Sequence, residues 1–289
     1  DYSFVAPVYD RVHKYLHDVW KVDGDGFAET RKGEWAFADW GDHIDLELIT
    51  AEWYYLALKG EKEFAEELQK TADVAQIDQM MKKMEQNFNK RFWKGDHYRS
   101  ASYKEKEPDD RAQALAVLCG FVDKDKYPAL MKVFDKSRYA SPFIELYVQL
   151  ALFQMGEGKF ALERAKERYS QMLKYKDKTT LFEFWQITAS VNHGWSSGMT
   201  TILAQEVCGI RPTSRGFETF EIRPEMAGLT DISTNVETKY GFIRVHLKKE
   251  GNTTKLNLTV PQGTRATVNL GGSVSQVEAG TYEISAQTD

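Results

Sequence analysis

The chain has 289 residues, enough for one large domain or two ordinary ones. Charged residues at 28% and apolar residues at 42% are those of an ordinary globular protein, and a net charge of -5 leaves no electrostatic footprint for a nucleic-acid partner. No apolar run approaches the ~20 residues of a membrane-spanning helix, so the sequence points to no membrane partner either.

The first two-thirds read as helices. From Phe4 to Trp20, the residues Val5, Val8, Val12, Leu16 and Trp20 recur at three- and four-residue spacing. Asp23-Gly24-Asp25-Gly26 is a turn cluster. A helix is expected from Asp42, its N-cap, to Leu58, with Gly60 ending it. A long polar helix follows over 61–92, with a break expected near Asp73. Further helices are expected over 109–119, 127–134, 142–154, 160–174 and 196–208, about eight in all, joined by short links as in helical hairpins. After Gly209-Ile210-Arg211-Pro212 the period becomes two. Phe220 and Ile222, then Ile243, Val245 and Leu247, then Leu256, Leu258 and Val260 alternate with polar residues. Turn signals separate these runs, which predicts a small antiparallel β-sandwich. The boundary is expected at 214–216, giving a helical domain over 1–215 and a β domain over 216–289.

Cys119 and Cys208 sit in apolar helical contexts and are expected to be buried free thiols. No CxxC or paired Cys/His spacing points to a metal, and no motif calls for a cofactor. Aromatics make up 13% of the chain, with seven Trp and fourteen Tyr, and several stand beside acids. Flat rings next to carboxylates are what a carbohydrate pocket requires, because sugar C–H faces pack on rings while hydroxyls bond to acids and His.

Three segments carry that combination. The first, Glu34-Trp35-Ala36-Phe37-Ala38-Asp39-Trp40-Gly41-Asp42, reads either as a helix cap with two buried Trp rings or as the wall of a sugar pocket. In the second, Thr179-Thr180-Leu181-Phe182-Glu183-Phe184-Trp185, an acid stands between two Phe rings and before a Trp. Such an acid is costly unless it is paired or used; the alternative is an exposed Glu on a strand-like edge. The third, Ser190-Val191-Asn192-His193-Gly194-Trp195, places a loop His ten residues after Glu183, close enough for one rim to hold both. Weaker candidates are His43 beside Asp42, His97 in a solvated turn, the helix-opening Asp109, Asp110 and Gln113, and Glu145, expected on a helix surface.

Taken in order, Asp39-Trp40-Gly41-Asp42, the Thr179–Trp185 segment, Asn192-His193-Gly194-Trp195, Cys208-Gly209-Ile210-Arg211-Pro212, Gly216-Phe217 and Ile222-Arg223-Pro224 resemble the C-terminal half of family 78 glycoside hydrolases, the bacterial α-L-rhamnosidases. The resemblance spans about residues 4–270. It implies an (α/α)6 toroid of helical hairpins followed by a C-terminal β-sandwich. It also implies that Glu183 is the general base, that His193 contacts the sugar, and that Trp40 with Asp39 or Asp42 lines the sugar subsite. Trp35 and Trp185 are taken as further sugar-binding rings. The family's general acid lies in an Asp-Cys-Pro…Glu motif upstream of the Asp-Trp segment, and this sequence lacks it. The chain opens on Asp1-Tyr2-Ser3, without an initiator Met or signal peptide, and shows fewer helices than a full toroid. The expectation is a processed form or fragment that begins inside the toroid, has little activity alone, and is prone to self-association. The implied reaction is inverting hydrolysis of terminal α-L-rhamnosides, with a rhamnose-containing glycan as partner. Competing readings are another six-hairpin hexoside or uronide hydrolase or lyase, and a non-catalytic carbohydrate-binding relative.

Overall fold

A computed structural model describes residues 2–31 and 37–288. The chain divides into two compact units, Asp1–Met155 and Gly156–Asp289.

The first unit is helical. Helix α1 (Val5–Lys14) runs into a π-helical segment, Tyr15–Val19. A turn follows in which the Asp23 carboxylate accepts from the Asp25 and Phe27 amides. Then come α2 (Leu46–Glu67), α3 (Thr71–Phe92), α4 (Asp110–Cys119), α5 (Tyr127–Lys136) and α6 (Pro142–Gln154). Helix α2 packs on α3 and α4, and α4 packs on α6. Nearly every side chain of α4 is buried, which suits a helix enclosed on all sides. Its end is set by Gly120, whose left-handed backbone (φ +82°) lets its amide reach the Ala116 and Val117 carbonyls.

Several boundaries differ from the sequence reading. Asp45, not Asp42, caps α2, its carboxylate accepting from the Leu48 amide. Gly60 does not end that helix, because the buried face continues through Leu58, Glu61 and Ala65. The break in the long polar run falls at Leu68–Lys70, where Gln69 adopts φ +56°, rather than at Asp73. Glu145 is fully buried, not on the surface, and Gln149 one turn later donates to it at 2.9 Å. Both cysteines are free and buried, as expected.

The second unit opens with α7 (Gly158–Tyr169) and an irregular stretch over 175–193, followed by α8 (Gly198–Ile202) and a π-helical segment, Leu203–Val207. The single helix expected over 196–208 is therefore a succession of 3-10, α and π turns. The eight α-helices among the described residues match the number read from the sequence. Eight strands follow: β1 (Ile210–Pro212), β2 (Thr219–Ile222), β3 (Asp231–Thr238), β4 (Gly241–Glu250), β5 (Thr253–Val260), β6 (Arg265–Leu270), β7 (Ser273–Val277) and β8 (Gly280–Gln287). They form two sheets, ordered β1-β2-β6-β7 and β3-β4-β5-β8. All pairs are antiparallel except β2 with β6. The alternating residues picked out by period, Phe220, Ile222, Ile243, Val245, Leu247, Leu256, Leu258 and Val260, all lie in the shared core of the two sheets.

The Gly-Ile-Arg-Pro passage has a steric origin. Gly209 has φ +74°, and a Cβ there would stand 2.2 Å from the Arg223 carbonyl carbon. Only glycine allows the two strands to close at that point. The Arg223 amide then donates to the Gly209 carbonyl at 3.0 Å, and Arg211 donates to the Arg223 carbonyl and to Glu206. Both Arg-Pro repeats thus meet at one stitch between the last helical turns and the sandwich.

Candidate active site

In the first unit the segment 37–43 is organised by one buried guanidinium. Arg111, at the start of α4, donates through Nε to Asp109 at 2.7 Å and through Nη1 to Asp39 at 3.2 Å. Its Nη2 serves the carbonyls of Asp42 at 2.9 Å and His43 at 2.8 Å. Asp39 also accepts from the amide of Ser141 at 3.0 Å and from its hydroxyl, while that hydroxyl caps α6 by accepting from the Phe143 amide. The Asp39 carboxylate is fully buried, and it meets Arg111, Ser141 and the Trp40 backbone. Trp40 is half-buried with its ring edge-on to Phe37, and Asp42 is exposed. An apolar cavity of about 240 Å³ lies beside this segment, lined in part by Trp20, Phe37, Ala38, Trp53 and Tyr54. His43 lines a separate polar cavity of about 420 Å³ with Tyr103, Lys104 and Glu105. Trp35 lies outside the described residues.

In the second unit Glu183 and His193 share one loop, which is not strand-like. Glu183 donates its amide to the Ser190 carbonyl at 2.8 Å, and the Trp195 indole donates to the Glu183 carbonyl at 3.2 Å. The His193 amide donates to the Leu181 carbonyl at 2.9 Å, and the Ser196 hydroxyl donates to that of Phe182. These bonds fasten the backbone on both sides of Glu183, whose side chain is half-buried. One carboxylate oxygen accepts weakly from the Ser190 amide at 3.3 Å, and the other makes no hydrogen bond among the described residues. His193 lies flat against Trp195, ring centres 4.1 Å apart. Trp185 is buried beneath the loop with Phe182 and Met172, its face covered by the Arg168 guanidinium at 4.4 Å. It therefore packs the loop from below.

Two family models cover the chain. The bacterial α-L-rhamnosidase 6 hairpin glycosidase domain matches residues 1–207, and the bacterial α-L-rhamnosidase C-terminal domain matches residues 209–285. The chain belongs to the bacterial α-L-rhamnosidase family. Solved rhamnosidases share its fold. The α-L-rhamnosidase from Dictyoglumus thermophilum superposes over 100% of this chain and 37% of its own, with a TM-score of 0.82 at 17% identity. That from Aspergillus terreus gives 0.81 at 17% identity, over 99% of this chain and 36% of its own. That from Streptomyces avermitilis, complexed with L-rhamnose, gives 0.80 at 17% identity, over 99% and 31%. The chain thus spans about a third of the length of these rhamnosidases. Among curated proteins no sequence match is found.

In this rhamnosidase-family chain the sequence reading overlooked Arg111 and a second buried acid, Glu52. Asp109 does cap α4, as expected, but it also accepts from the Asp45 amide at 2.9 Å and from Arg111. Glu52, on α2, is fully buried, and neither of its oxygens has a hydrogen-bond partner among the described residues. Burial raises the pKa of Asp39 and Asp45 against the pull of their hydrogen bonds, and pushes Asp109 up to about 6 despite Arg111. Glu52 is raised furthest, by burial and then by the charges of Asp45 and Asp109. Unfolded carboxyls ionise near pH ~4. Above that the unfolded chain holds fewer protons than the folded one, so stability should fall as pH climbs from ~4 through the range where Asp109 ionises. Glu52→Gln removes the most displaced of these groups. Urea denaturation should show the variant falling less steeply with pH, with a higher midpoint at neutral pH. A pH profile identical to wild type would mean that Glu52 does not carry the effect.

Proposed function

We propose that the protein is a glycoside hydrolase acting with inversion on terminal α-L-rhamnosides, and that Glu183 is its general base. The observation that carries this reading is the state of the Glu183 carboxylate. Its backbone is fixed on both sides, its side chain is half-buried, and one oxygen has no hydrogen-bond partner among the described residues. That is the condition of a group held ready for a water molecule. The base takes a proton from this water as its oxygen bonds to the anomeric carbon. The glycosidic bond breaks, and a second carboxylic acid gives its proton to the departing oxygen. Inversion requires the two carboxyls to stand ~6.5–9.5 Å apart, so that the water fits between.

The remaining candidates take positioning roles in this proposal. Trp40 offers a ring to the sugar face, and exposed Asp42 offers a carboxylate to its hydroxyls. His193, stacked on Trp195, presents an imidazole edge. Asp39 acts through Arg111 to hold the segment that carries Trp40, and Trp185 supports the Glu183 loop from beneath. Trp35 joins them on the resemblance alone. Self-association belongs to the same proposal, since Phe4, Tyr15 and Val19 leave apolar surface exposed.

The test, made on the full-length protein, is a panel of aryl glycosides followed by proton NMR of the fresh product. The expected result is cleavage of the α-L-rhamnoside alone, with β-L-rhamnose appearing first and the α anomer only later by mutarotation. Release of the α anomer first would overturn inversion. Preferential cleavage of another hexoside or a uronide would overturn the substrate.

A further inference from the structure

The sequence reading found no metal-ligand spacing, yet the fold assembles one away from the residues discussed above. His13 on α1 and His17 in the π-helical segment are four residues apart and share one helix face. Both meet Glu61, which projects from α2. His13 Nδ1 lies 2.7 Å from Glu61 Oε1, and His17 Nε2 lies 3.1 Å and 3.0 Å from Oε1 and Oε2. The two imidazoles stack with centres 4.2 Å apart. One donor atom from each of the three residues falls within 4.8 Å of the others.

We propose that His13, His17 and Glu61 form a zinc-type divalent transition-metal site that fastens the first helix to the second. Two imidazoles and one carboxylate are a recurrent zinc donor set, and bonds of ~2.0–2.1 Å place tetrahedral ligands about 3.3 Å apart. The separations from Glu61, 2.7–3.1 Å, open by about 0.2–0.6 Å to reach that spacing.

Charge argues the same way. The Glu61 side chain is fully buried, those of His17 and His13 are 7% and 29% exposed, and no Lys or Arg reaches Glu61 among the described residues. Among the described residues the side chains that meet this carboxylate are the two imidazoles, and a divalent cation held between the three groups would neutralise it. The outer partner is also in place. Gln76 Nε2 on α3 lies 3.3 Å from His17 Nδ1, and a flip of that amide would turn its oxygen there to accept the Nδ1 proton while Nε2 of His17 ligates. The π-helical turn is a third sign, because such turns gather at functional positions.

The opening left by His13 admits a water as fourth ligand. In hydrolytic zinc sites with paired His at this spacing, a Glu beside the first His acts as base. That place is held by Lys14, so the site binds and does not cleave.

The experiment uses the metal-stripped chain, titrated with Co²⁺ for its visible spectrum and with Zn²⁺ by calorimetry. The expected result is one ion per chain, the intense visible bands of four-coordinate cobalt, and their loss when zinc displaces it. Excess Mg²⁺ should not compete, since it prefers oxygen ligands in octahedral array. His17→Ala and Glu61→Gln should each weaken uptake about 100-fold or more, and Gln76→Leu by about tenfold. Partly exposed His13→Ala serves as the variant least able to disturb folding, with circular dichroism as the control. Absence of saturable uptake by the wild type, or uptake unchanged in His13→Ala and Glu61→Gln, would overturn the proposal.

Discussion

In the full-length protein, Glu183→Gln is expected to lower rhamnoside turnover by about 10³-fold, a loss of roughly 4 kcal/mol of transition-state stabilisation, without unfolding it. The reasoning separates two jobs done at one position. The fold needs the Glu183 backbone, which bonds to Ser190 and to the Trp195 indole. The chemistry needs the side chain's ability to take a proton. Glutamine keeps the shape and still accepts from the Ser190 amide, but it cannot act as a base. The loss should fall on kcat with KM little changed, since the groups proposed to position the sugar are untouched. Steady-state kinetics with a chromogenic rhamnoside, alongside thermal melting, provides the measurement. Turnover within a few-fold of wild type would remove Glu183 from the mechanism.

The second large effect is on stability. Arg111→Met should cost about 3–5 kcal/mol, because it leaves the Asp39 and Asp109 carboxylates buried without their cation. The carbonyls of Asp42 and His43 would lose donors as well. Arg111→Lys should recover only a minor part, since an ammonium cannot reach four acceptors in one plane. Guanidinium denaturation at neutral pH would show both midpoints falling, the Met variant furthest. A loss below about 1 kcal/mol for Met would mean that the acids around Arg111 are neutral in the folded protein and need no cation.

The two effects together show which features a sequence displays. Period-two alternation located the sandwich core because each inward residue, from Phe220 to Val260, meets the same apolar environment. Helix existence was legible for the same reason, while helix ends were not. Gly60 reads as a stop but lies in a continuing helix, since the buried face beyond it outweighs one residue's propensity. Asp42 and Asp45 are equally good caps by composition, and only the path of the chain selects Asp45. Buried polar groups were the least visible. Arg111, Glu52 and Glu145 sit on helices where a charged residue ordinarily means a solvated face, and nothing local marks their burial. Glu183 and His193 were legible as candidates because their aromatic neighbours are adjacent in sequence. Asp39 was legible as a candidate for the same reason, while its hydrogen-bond partners, 72 and 102 residues away, were not.

Those separations bear on how the protein acquires its shape. The strip carrying Trp40 has no regular structure of its own and is pinned by α4 and by the start of α6. Closing such distant loops carries an entropic cost that must be met before any of these bonds form. The strip can therefore settle only after the helices behind it have docked. A nascent or partly unfolded chain with α2 and α3 already formed would still lack this ordered strip, which would take its shape at the end of assembly.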